Sequence, residues 1–152
     1  MECIEVKRRQ IPLNLLLEAD PSEASVSSYL SESWCFTASD NERLLAACVV
    51  KPQPQADHLA EICNISVYPE YQGQGVGTAL LTFVLSQLAS KGIKHVVLCT
   101  GTFGHQLTFY QRLGFRVDAV LKDYFLLHYP EPIFENGIQH QDGLRLYKVL
   151  LK

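Results

Sequence analysis

The chain lacks any basic run longer than Lys7-Arg8-Arg9, and its thirteen lysines and arginines are outweighed by sixteen aspartates and glutamates, for a net charge of −3. A broad nucleic-acid-binding face, which needs clustered cations, is therefore not expected. No apolar run exceeds the seven residues 44–50. A bilayer crossing takes about 20, so membrane insertion is not expected either. The first nine residues alternate charged with apolar side chains, which is not the pattern of a secretory signal, and a cytoplasmic location follows as the expectation. The five cysteines show no C-x-x-C spacing, and four of them sit in apolar runs. They read as reduced core thiols. The five histidines, His58, His95, His105, His128 and His140, also lack ligand spacing, so no metal is expected.

What is present is a chain of 152 residues, 47% hydrophobic and only 19% charged. A chain of this size buries roughly 70% of its unfolded surface, and one domain over 1–152 is the simplest division. Alternation over residues 3–6 suggests a first strand. Pro12 with Leu13, Leu16 and Leu17 starts a helix, and Asp20-Pro21-Ser22 caps a second one. A hairpin of strands over 34–39 and 43–51 turns at Asp40-Asn41-Glu42, and a long strand spans 58–68. From Gly75, residues Val76, Ala79, Leu80, Phe83, Val84 and Leu88 fall at helical spacing up to Lys91-Gly92. A buried strand over 95–100, a helix over 105–113 and strands over 116–127 and 144–151 complete a mixed α/β (α+β) pattern.

Between the long strand and the helix lies Gln72-Gly73-Gln74-Gly75-Val76-Gly77-Thr78, with glycine at every second position. Glycine frees successive amides to turn toward one point, and the helix start adds about half a positive charge there. Pyrophosphate is the natural guest. Neither the Lys of a P-loop nor the G-x-G-x-x-G of a dinucleotide site is present.

Gln72-x-x-Gly75-x-Gly77, after a strand ending Asn64-Ile65-Ser66-Val67-Tyr68 and before Thr78-Ala79-Leu80-Leu81, resembles the acetyl-CoA signature of the GNAT (Gcn5-related) N-acetyltransferases. Phe109-Tyr110-Gln111-Arg112-Leu113-Gly114-Phe115 resembles that family's second signature. The resemblance is sharp over 61–115 and continues in element order, and the tail looks like that of a little-described bacterial subgroup. It implies a GNAT fold of about seven strands and four helices, with acetyl-CoA lying where two central strands splay apart. The implied cofactor contacts are Ile65, Val67, Gln72, Gly73, Gln74, Gly75, Val76, Gly77 and Thr78, with a strand irregularity freeing the Val67 amide for the thioester carbonyl. Where the family often carries Asn, seven residues before the tyrosine, this chain has Phe103.

Acetyl transfer to an amine needs a deprotonated nucleophile, a polarised carbonyl and a proton for the departing thiolate. The resemblance implies Glu61 as the base acting through water and Tyr110 as the acid. The expected activity is transfer of an acetyl group to a primary amine, of a small molecule or a protein, by direct attack in a ternary complex. A non-catalytic acyl-CoA-binding sensor is the alternative. The aromatic, proline-punctuated segment 122–138 is expected to shape the acceptor pocket, with Glu131, Glu135 and Asp142 as candidates to attract a cationic amine. A homodimer is left open.

Overall fold

The computed structural model describes residues 1–150. Its centre is a seven-stranded mixed sheet in the order β1-β2-β3-β4-β5-β9-β6. The strands are β1 (Glu2–Val6), β2 (Trp34–Asp40), β3 (Arg43–Pro52), β4 (Leu59–Val67), β5 (His95–Gly101), β6 (Arg116–Leu121) and β9 (Gly143–Val149). A separate two-stranded ribbon pairs β7 (Phe134–Glu135) with β8 (Ile138–Gln139). The helices are α1 (Leu13–Leu16), α2 (Glu23–Leu30), α3 (Val76–Ser90), α4 (His105–Arg112) and α5 (Tyr124–His128).

The unbroken apolar run of β3 follows from its place in the sheet. Residues 45–50 are all buried, because both faces of that strand are covered. Ala46, Cys48 and Val50 pack beneath Leu80, Leu81, Val84 and Leu88 of α3. Ala47 and Val49 point the other way, against Leu15, Leu16 and Val26 of the α1–α2 region. One strand thus serves two cores, which is why hydrophobicity there shows no alternation.

Every pairing except one is antiparallel. The exception is β4 beside β5, matched only at Leu59–His95, Ala60–Val96 and Glu61–Val97. Beyond that point residues 62–67 of β4 stay with β3, while 98–101 of β5 stay with β9. The two central strands therefore part company after Glu61 and leave an open wedge in the middle of the sheet.

Two expectations need correcting. The strand expected over 116–127 stops at Leu121. Asp123 takes a left-handed conformation (φ 62°), and Tyr124–His128 coils into α5, so the described residues hold five α-helices rather than four. Short apolar runs do not distinguish strand from helix by periodicity. The last strand ends at Val149, and residue 151 of the expected span lies outside the described residues. No described helix is long and apolar enough to cross a membrane.

Candidate active site

The wedge opens against the start of α3. Gly73 and Gly75 have φ of 75° and 83°, a left-handed backbone that a side chain would strain, and nothing lies within 4 Å of where a Cβ would stand. The α3 N-cap, Gly75, supplies no side-chain hydrogen bond. Among the described residues the amides of 73–78 donate to no acceptor. The first amide to do so is that of Ala79, to the Gly75 carbonyl at 3.0 Å. A consecutive set of free N–H groups at a helix start is an anion cradle. Gly77 differs from both: a Cβ there would make ordinary van der Waals contact with Phe109 (3.5 Å) and Val67 (3.6 Å), so neither backbone conformation nor space demands glycine at that position.

Val67 ends β4 on the open side of the wedge. Tyr68 N donates to Leu45 O at 3.0 Å, which makes the neighbouring Val67–Ala46 pair one of the non-hydrogen-bonded pairs of an antiparallel ladder. Its N–H and C=O therefore turn away from β3 toward the gap. The carbonyl accepts from Gln72 Nε2 at 2.9 Å. The strand irregularity that the family resemblance implied lies elsewhere: the register shift falls between Val49 and Val50 of β3, opposite Cys63, and it is the alternation that frees the Val67 amide.

The cleft enclosed here, about 250 Å³, is lined by Ile65, Val67, Gln72, Gly73, Gly75, Val76, Gly77 and Thr78. Of the expected cofactor contacts only Gln74 is absent from the lining, and its side-chain Nε2 donates to Glu70 O at 3.1 Å. His105, Gln106 and Phe109 of α4 also line it and were not anticipated, as do Glu18 and Ala19 from the end of the α1 region.

Tyr110 stands between this cleft and a second, larger cavity of about 560 Å³, and lines both. It is 6% exposed, and burial raises its phenol above the ordinary range, so it holds its proton at neutral pH. Its hydroxyl has no hydrogen-bond partner among the described residues and is not sealed from the cavity. Glu61 lines the second cavity at the fork of β4 and β5. Burial raises its carboxyl, and the charges of Lys51 and Arg145 pull part of that back.

The tail segment does form much of the cavity wall, through Tyr124, Phe125, His128 and Tyr129. None of the three acids expected to attract an amine is among the lining residues. Glu135 is engaged by His105 and His140, Asp142 accepts from the Asp123 amide at 2.8 Å, and Glu131 is exposed. The second carboxylate in the lining is Asp20, which the sequence suggested only as a helix cap. Ser22 fills that role, accepting from Ser25 N at 3.2 Å. Asp20 is 5% exposed and accepts from Ser25 Oγ (2.6 Å), Tyr29 Oη (2.9 Å) and Tyr129 Oη (2.8 Å). Asn64 of β4 donates to Tyr29 Oη at 3.1 Å, which directs the tyrosine proton to Asp20. Phe103, the departure from the family pattern, stacks on His140 with ring centroids 4.2 Å apart. Among the described residues no cluster of three or more metal-ligating side chains occurs.

Comparisons with known proteins agree with this geometry. The model of the acetyltransferase (GNAT) family matches residues 9–115. The uncharacterized N-acetyltransferase YvbK of Bacillus subtilis (strain 168) is 41% identical over 136 residues, 88% of this chain and 86% of that protein. A GNAT family acetyltransferase from Elizabethkingia anophelis, solved with acetyl-CoA bound, superposes with a TM-score of 0.92 at 35% identity, covering 98% of this chain and 97% of the other. An IAA acetyltransferase from Bacillus cereus ATCC 14579 gives a TM-score of 0.91 at 33% identity over 98% and 99% of the two chains.

Proposed function

The chain belongs to the GNAT acetyltransferase family and is an N-acetyltransferase, and from that premise we propose that it moves an acetyl group from acetyl-CoA directly to a primary amine in a ternary complex. The observation that carries this reading is the run of unpartnered amides at 73–78, beside an open wedge and a buried tyrosine. The wedge residues fit the co-substrate: the amides and the α3 start receive the diphosphate, and the gap between β4 and β5 admits a narrow chain. Acetyl-CoA supplies the acyl group as an activated thioester.

The residues then divide the work. Glu61, through water, takes the proton of the incoming ammonium, since an alkylamine with pKa near 10.4 is only about a few parts in ten thousand neutral at pH 7. Its raised pKa brings it nearer the pH at which a base is efficient. The Val67 N–H stabilises negative charge on the carbonyl oxygen as the nitrogen–carbon bond forms. Tyr110 gives its proton to the sulfur as the carbon–sulfur bond breaks, and recovers one from the nitrogen. The products are the amide and CoA thiol, with one proton released when the amine enters as ammonium. Asp20 and Glu61 give the second cavity two carboxylates, which suits a cationic acceptor.

The test is thiol release across an amine panel. Tyr110→Phe is expected to lose about 10²- to 10⁴-fold in turnover. Its thermal stabilisation by acetyl-CoA should survive, about 2.7 kcal/mol at 100 times the dissociation constant. Full turnover in Tyr110→Phe removes the tyrosine from the mechanism. Cofactor binding by the wild-type protein with no turnover on any amine would instead indicate a sensor.

A further inference from the structure

The helix that carries Tyr110 is eight residues long, too short to persist in water unaided, and Gly104 at its N-cap brings no side chain. The cap comes from thirty residues downstream. Glu135, on β7, accepts from the His105 amide at 3.1 Å and from the His105 ring Nδ1 at 2.9 Å. A carboxylate at this end of a helix meets both the free amides and the positive end of the dipole. A Cβ on Gly104 would fall on that carboxylate, so glycine is needed for its approach.

Glu135 is itself held in place. His140 Nε2 bonds to its other oxygen at 3.0 Å. His140 is 7% exposed, stacks on Phe103, and leans on Phe125 with centroids 5.2 Å apart. It also closes over Gly101 of β5, where a Cβ would collide with its ring. The chain β5–His140–Glu135–His105 thus anchors the start of α4 to the sheet. Tyr110 sits five residues further on, about 7.5 Å along the axis, where a tilt of roughly 8° at the helix start displaces it by about 1 Å. Misplacement on that scale can cost on the order of 100-fold in rate.

We propose that Glu135 is a positioning residue for acetyl transfer: by capping α4 through His105 it fixes where the Tyr110 hydroxyl stands relative to the thioester sulfur. This rests on Tyr110 being the proton donor. The ring of Tyr110 also packs on Phe109 and Phe115, at 5.2 and 5.8 Å, so removal of the cap should loosen α4 without unfolding it.

The experiment is a double-mutant cycle on the full chain with Glu135→Ala and Tyr110→Phe, read as kcat with saturating acetyl-CoA. Glu135→Ala is expected to lower kcat about 10- to 100-fold, and the double variant to be no slower than Tyr110→Phe alone. A Glu135→Ala loss that recurs in full in the Tyr110→Phe background, or no loss at all, overturns the proposal. Should Glu135→Ala fail to fold, Glu135→Gln enters the same cycle, since it keeps an acceptor oxygen and drops the charge. Hydrogen exchange in the CoA-saturated protein gives a readout free of turnover. The amides of 109–112, the first that bond within α4, should exchange faster in the Glu135 variant while those of 62–67 do not, and wild-type protection throughout α4 overturns the capping role. A Tyr110→Phe protein with unimpaired kcat would sink the proton-donor reading instead, leaving the exchange result to decide what Glu135 holds.

Discussion

The cleft at the glycine loop and the cavity beyond Tyr110 adjoin, yet they are made of different material. The cleft offers main chain: the amides of 73–78, the Val67 N–H and the start of α3, with glycines clearing the approach. The cavity offers side chains drawn from distant parts of the sequence, among them Asp20, Tyr29, Glu61, Tyr124 and Tyr129. On the proposed reading, the backbone surface serves what every use of the protein would share, the diphosphate of the carrier. A surface of side chains can be exchanged without disturbing it, and is where the choice of acceptor resides. If the division is real, substitutions on one side should leave the other side's binding untouched.

Of the substitutions that separate the two halves, Glu61→Gln should show the largest effect. A base assisting through water is worth about 10²- to 10⁴-fold, so kcat/KM for the amine should fall by roughly 10²-fold at neutral pH. The acid limb of its pH profile should disappear, while acetyl-CoA affinity stays as in the wild type. Stability should move the opposite way. The folded pKa of Glu61 is raised, so above the usual carboxylate range the native state binds more protons than the unfolded one, and stability declines as pH rises through that window. Glutamine removes that loss, and Tm at pH 7 should rise in calorimetry. An unchanged rate with a raised Tm would make Glu61 a wall residue and not a base.

Gly75→Val probes the other side. A β-branched residue forced to φ near 83° costs about 1–3 kcal/mol, and relief by rotating the loop would misdirect the amides beside it. Acetyl-CoA affinity, measured by titration calorimetry, should weaken about 5- to 100-fold. The KM for the amine, taken at saturating acetyl-CoA, should stay close to wild type. Equal losses for both substrates would erase the division between the halves.

The same division explains what could be read in advance. The α3 helix, the hairpin of β2 and β3 and the glycine cradle come from patterns within a few residues of one another, so a linear reading finds them. The β7–β8 ribbon carried a local signal too: Asn136-Gly137, both at positive φ, is the dipeptide that a tight hairpin favours. It lies in a segment whose aromatic and acidic content suggested a pocket wall and not a turn. The bond between Asp20 and Tyr129 joins residues 109 positions apart, and no spacing rule reaches that far. The cap of α4 by Glu135 escapes for the same reason, because Gly104 read locally is an uncapped helix start. Asp123 shows the converse: its left-handed conformation is a local event, but nothing in an apolar run marks where the strand must give way to α5.

Tyr129→Phe makes the smallest and most discriminating change. The substitution deletes one oxygen, and with it the only link from the tail segment to Asp20 among the described hydrogen bonds. Asp20 keeps its bonds from Ser25 and Tyr29, so the carboxylate is not orphaned. A hydrogen bond to a charged group contributes about 1.5–3 kcal/mol when fully buried. Tyr129 is only partly buried, and a stability loss of about 1 kcal/mol, or roughly 2–4 °C in Tm, is expected. With the tail no longer tied to the α1–α2 connection, the amine KM should rise severalfold. Acetyl-CoA affinity should stay constant, because neither Tyr129 nor Asp20 touches the cleft. A matching drop in acetyl-CoA affinity would mean that the side-chain half also holds the backbone half in shape, and that the two form one cooperative unit.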